Sequence, residues 1–84
     1  MISSRQIGVV PLEDGRELRI SLTTERRRRV LDLREFAKFS AAGVMMPGRN
    51  GVVVPVEHLD SLFDYLAEAL AAARAAGWIG AGPQ

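Results

Sequence analysis

Arg26-Arg27-Arg28-Arg29 sets four guanidinium groups side by side, and Arg16, Arg19, Arg34, Lys38 and Arg49 spread further positive charge over the same part of the chain. Guanidinium is planar, permanently charged and forked, so this set suits bidentate binding of phosphate and stacking on bases. Four adjacent cations in a loop repel one another unless phosphates or carboxylates neutralise them. A site touching several phosphates therefore binds with steep salt dependence. Arg34 admits two readings, a phosphate ligand or half of a cross-strand ion pair. Arg49 either points at a phosphate or solubilises its loop. Phe36 and Phe39 are the only aromatics in this region and the only candidates for stacking on unpaired bases.

Other chemistry finds little support. The chain has no cysteine and one histidine, His58, which excludes disulfides and cysteine-ligated metal and leaves no convincing metal site. No nucleophile-base pair and no phosphate-cradling glycine motif is present, so neither an enzyme nor a bound cofactor is expected. Asp32 and Glu35 are the carboxylates that a nuclease would need.

Charge is segregated along the chain. Residues 1–54 carry ten basic and six acidic side chains, and residues 55–84 carry Arg74 against Glu57, Asp60, Asp64 and Glu68. A net charge of +1 thus conceals a basic first part and an acidic second part. The asymmetry points the basic part at a polyanion. With 84 residues the chain makes one domain, 1–84, whose core supplies only about 3–5 kcal/mol. Without disulfide or metal, oligomerisation is the natural stabiliser.

The elements that position these groups follow from periodicity. Ile7 to Leu12 reads as a strand confined to a sheet edge by Pro11, and Asp14-Gly15 as a tight turn. From Glu17 to Thr23 apolar and polar residues alternate, with Leu18, Ile20 and Leu22 on one face and Glu17, Arg19, Ser21 and Thr23 on the other. Thr24 to Arg27 is the next loop, and Arg28 to Phe36 the returning strand. Ala41 to Gly43 and Pro47 to Gly51 are turn-forming, which leaves Val44 to Met46 a short strand at best and Val52 to Val54 the last strand. The sheet occupies residues 7–54.

From Pro55 to Ala76 the period becomes helical. Leu59, Leu62, Phe63, Leu66 and Leu70 form one stripe, with Phe63 expected in the core. Pro55 and Glu57 suit the helix start, and Gly77 its end. The stripe must be buried against the sheet, a second subunit or both. Alanines on the distal half allow close helix approach, which makes Leu66, Ala69, Leu70 and Ala73 the candidate dimer contacts. Trp78 is expected to pack back on the helix end, ahead of a loose tail within 77–84. The first residues hold no apolar run of signal-peptide length, and no window approaches the roughly 18 apolar residues of a membrane span. A cytoplasmic protein is expected, nucleoid-associated if bacterial.

Taken together, GRELRISL, VLDLREF and PGRNGVVVPVEHL resemble the positive-cofactor-four family of transcriptional coactivators, over Gly15 to Ala73. The resemblance implies an α+β fold, a curved four-stranded antiparallel sheet followed by one C-terminal helix, assembled as a homodimer that binds single-stranded or melted DNA across the sheet. Arg16, Arg26, Arg28 and Arg34 fall where that family places DNA-contacting basic residues. Glu25 and Ala37 stand where it places stacking aromatics, so binding here is expected to be weaker, more salt-sensitive and tolerant of sequence. The Ser-rich arm of eukaryotic members is absent, as in a minimal bacterial or phage version. The expected function is single-stranded DNA binding in transcription or in handling unwound DNA. RNA is a further possible ligand and RNA polymerase a possible partner. The alternative is an adaptor that docks on polymerase or another factor through the helix or Trp78.

Overall fold

A computed structural model describes residues 4–38 and 43–80. Its elements are β1 (Arg5–Pro11), a 3-10 turn (Glu13–Gly15), β2 (Glu17–Glu25), β3 (Arg28–Lys38), β4 (Met45–Pro55), a second 3-10 turn (Val56–His58) and α1 (Leu59–Ala75). The strands form one antiparallel sheet in the order β1-β2-β3-β4, followed by the single helix, which is the α+β arrangement the sequence implied. Phe39, Ala41, Ala42 and residues 81–84 lie outside the described residues.

The first two hairpins turn through the left-handed region. Asp14 and Gly15 have φ of 62° and 74°, as the Asp-Gly pair requires. The β2–β3 connection is tighter than expected: β2 runs on to Glu25, and only Arg26 and Arg27 form the turn, with φ of 52° and 68°. Positive φ at both central residues is the type I′ signature, whose twist matches the strands it joins. Asn and Gly adopt that conformation most cheaply, and arginine does not.

The largest departure from expectation is β4. Pro47-Gly48-Arg49-Asn50-Gly51 does not form a turn, and one strand runs unbroken from Met45 to Pro55. The ladder absorbs the turn-forming residues as a bulge: Arg34 pairs with Gly51 and Phe36 with Pro47, so two steps on β3 face four on β4. Pro47 is tolerated because β4 is an edge strand, where a missing N–H costs no ladder bond on the open side.

The helix also starts later than its pattern suggests. Pro55 is still extended (ψ 143°), the chain tightens through the 3-10 turn, and α-helix begins at Leu59. At the far end Gly77 (φ 78°) closes a Schellman motif, its N–H donating to the Arg74 carbonyl and that of Trp78 to the Ala73 carbonyl. Trp78 caps through its backbone alone; its side chain is 81% exposed and does not pack back.

The core is thin. Val30, 3% exposed, is the one buried hydrophobic residue among those described. The helix stripe does not dock on the sheet: Phe63, Leu66 and Leu70 are 70%, 58% and 43% exposed, which corrects the expectation of a core Phe63. The radius of gyration, 15.4 Å, exceeds the roughly 12 Å of a compact chain of this length. The accessible surface of 6810 Å² likewise exceeds the roughly 4900 Å² usual for this mass.

Candidate nucleic-acid interface

Strand alternation and register sort the side chains onto two faces. Directly opposed residues share a face, so Leu18, Ile20 and Leu22 of β2 join Leu31 and Leu33 of β3 and Val52 and Val54 of β4 on an aliphatic face. The other face gathers Glu17, Arg19, Ser21 and Thr23 with Val30, Asp32, Arg34 and Phe36. Period-two alternation in β2 thus predicted the chemistry of both sides.

On this polar face an open groove of about 230 Å³ is lined by Gln6, Arg19, Ser21, Thr23, Asp32, Arg34, Phe36 and Pro47, with Ser4 at its edge. Ser4 Oγ and Thr23 Oγ1 share a hydrogen bond of 2.8 Å. The Arg19 guanidinium carbon lies over the Phe36 ring, 4.2 Å from its centroid, and Arg19 Nε donates to Glu17 Oε1 at 3.0 Å. Arg34 Nε is 3.3 Å from Asp32 Oδ1, an ion pair along its own strand and not across strands. Further toward the β2–β3 turn, a second hollow of about 240 Å³ on the same face is lined by Glu25, Arg26, Arg28, Val30, Val53 and Pro55. Arg26 and Arg27 stand exposed at the turn itself, and Lys38 exposed at the other end of β3. Arg28 Nη2 reaches Glu57 Oε2 at 3.3 Å and ties the hairpin base to the helix lead-in.

Two predicted contacts lie elsewhere. Arg16 turns to the aliphatic face, where Nη1 meets Glu35 Oε2 at 2.5 Å while Asn50 Nδ2 donates to Glu35 Oε1 at 2.9 Å. The register explains this, since Glu35 opposes Leu18 and so projects on the aliphatic side. Arg49 lines a separate hollow with Arg16, Glu35 and Asn50, carried there by the bulge and not by a turn. The structure thus brings Arg19, Arg34 and Phe36 together, sets Arg26, Arg27 and Arg28 at one end of their face, and leaves Arg16 and Arg49 apart. Sequence reasoning missed Gly51, which lies directly across from Arg34; its place within PGRNG read as a turn glycine.

Carboxylates balance the two groove arginines, and the face's further positive charge sits at its ends, on Arg26, Arg27 and Lys38. Glu17 and Asp32 take one edge of Arg19 and Arg34, whose side chains stay 29% and 28% exposed. No described cluster of histidine, cysteine or carboxylate residues could hold a metal ion. No helix among the described residues is long and apolar enough to cross a membrane.

Four antiparallel strands in sequential order, one face bearing arginines and the other aliphatics, followed by one helix, match the fold of positive cofactor four, or PC4. The comparisons agree. The chain is similar to two crystal structures of a PC4 homolog from Burkholderia pseudomallei K96243. The tetragonal form matches with a TM-score of 0.68 at 27% identity, over 80% of this chain and 97% of that one. The orthorhombic form gives 0.67 at 28%, over 80% and 89%. No protein-family model matches the chain, and neither does a curated protein. The chain has a PC4-like fold.

Proposed function

We propose that this protein is a homodimeric single-stranded-DNA-binding protein that acts in transcriptional regulation or in handling unwound DNA, with RNA polymerase as a partner in the first case. One observation carries the reading: Arg19, Arg34 and Phe36 converge on one open groove, and a second hollow on the same face lies toward the arginine turn. Phosphates and bases each find a matching group there, and the groove is open along the face, as a strand requires.

What the single chain leaves uncovered supports the dimer. Its surface exceeds the usual value by roughly 1900 Å², an area of the size that obligate subunits hide. The aliphatic sheet face and the stripe of Phe63, Leu66 and Leu70 supply that area. A second copy offers the same two surfaces in reverse, as a two-fold interface needs. Ala69 and Ala73 let two helices approach closely near its distal end.

Titrating a labelled single-stranded oligonucleotide with the protein, with duplex of the same sequence as competitor, tests the function. Preferential binding of the single strand by a particle of twice the chain mass is the expected result. Duplex preference, or no binding at low salt, contradicts it. A second reading is favoured by Trp78, whose side chain is 81% exposed at the helix end: an adaptor docking on a protein through this residue. Pull-down lost on Trp78→Ala, with no oligonucleotide binding by the wild type, would select that reading.

A further inference from the structure

Arg19 and Arg34 are held more closely than a bare phosphate ligand requires. Arg19 lies over the Phe36 ring with its Nε taken by Glu17. Arg34 lies over Gly51: a Cβ at that position would come within 2.7 Å of both Cζ and Nη1 of Arg34, and within 2.8 Å of the Leu33 carbonyl oxygen. The guanidinium therefore occupies the space in which any other residue would carry its side chain. In both cases a carboxylate two residues back along the strand takes one edge of the group and offsets part of its charge. With Nε engaged, each arginine offers a ligand its terminal nitrogens and the open face of its plane.

A delocalised planar cation fixed on a support is suited to stacking, because guanidinium is weakly hydrated on its faces. The two arginines are direct cross-strand partners, so the supported groups lie side by side on the groove floor. Resting on the single-strand reading above, we propose that Arg19 on Phe36 and Arg34 on Gly51 are two stacking planes for unpaired bases. They take the place of the aromatics that Glu25 and Ala37 lack, while Arg26, Arg27 and Arg28 carry the phosphates. Gly51 is a positioning residue: its missing side chain seats Arg34.

The test compares a labelled oligothymidylate with an abasic strand of the same length, for wild type and for Arg19→Lys, Arg34→Lys and Gly51→Ala. Lysine keeps the charge and loses the plane. Wild type is expected to prefer the base-bearing strand by roughly tenfold. Each lysine variant should lose most of that preference with an unchanged salt slope, and Gly51→Ala should behave as Arg34→Lys does. Should Gly51→Ala fail to fold, the two lysine variants decide. Lysine variants that retain the full preference, or a wild type that binds both strands equally, overturn the stacking planes and leave the single-strand reading standing. A wild type that binds neither strand removes that reading and this one together.

Discussion

Arg19 and Arg34 face each other directly across the β2–β3 ladder, two like charges at a cross-strand pair. Such pairs destabilise a sheet by a few tenths of a kcal/mol to about 1 kcal/mol. Here Glu17 and Asp32 relieve the repulsion, and a polyanion laid over the face would relieve it further. Folding stability and ligand affinity are therefore coupled through the same four side chains.

Asp32→Asn breaks that balance. It should lower stability by about 0.5–1 kcal/mol in urea unfolding while strengthening oligonucleotide binding at low salt. Weakened binding at unchanged stability would show that Asp32 serves the ligand and not its neighbour.

The Arg26-Arg27 turn carries backbone strain at the point of highest charge. Replacing the pair by Asn-Gly supplies residues that adopt positive φ readily and should stabilise the fold by about 1–2 kcal/mol. The same change removes two cations, so the logarithmic salt slope for a single strand should become shallower by about 1.4. Unfolding curves and salt titrations of the double variant read the two effects separately.

Leu66→Glu places a charge in the exposed helix stripe. Sedimentation should show the variant as a monomer, with a Tm far below that of the wild type. The wild-type Tm itself should rise with protein concentration, as association-linked folding demands. A concentration-independent Tm would mean that the apolar surfaces have another occupant.

Glu57 titrates below its ordinary value near 4.5, held down first by its own backbone N–H, opposed next by desolvation, and lowered further by Arg28 and His58. A carboxyl depressed in the folded state contributes stability that is fully present above the ordinary value and is lost as pH falls through the lowered one. Glu57→Gln should therefore be slightly less stable than wild type at neutral pH, and the difference should vanish on acidification. Thermal unfolding of both proteins across the acid range checks the sign. The effect is small because the carboxylate is solvent-exposed.

The sequence made the two faces of β2 readable because alternation is a local property, and the Asp14-Gly15 turn because its φ demand is local too. PGRNG misled for a physical reason: proline and glycine mark turns by what they permit, and an edge strand with a bulge permits them equally. Arg16 and Arg34 both matched basic positions of the family resemblance. Only the register, which sets Glu35 opposite Leu18, sends Arg16 to the aliphatic side. The helix pattern located the stripe correctly but not its burial, since nothing among the described residues covers Phe63 and Leu66. Nothing in the string of letters marks Gly51 as the seat of Arg34, because that relation exists only across the β3–β4 ladder.

The central claim is that an unpaired strand lies on the Arg19–Arg34 face. Following the arginine Nε–H resonances during titration with a single-stranded oligonucleotide tests it most directly. Arg19, Arg34, Arg26 and Arg28 should shift and saturate together, with Arg16 and Arg74 unmoved. Shifts confined to Arg16 and Arg49, or a spectrum indifferent to the oligonucleotide, would contradict the account.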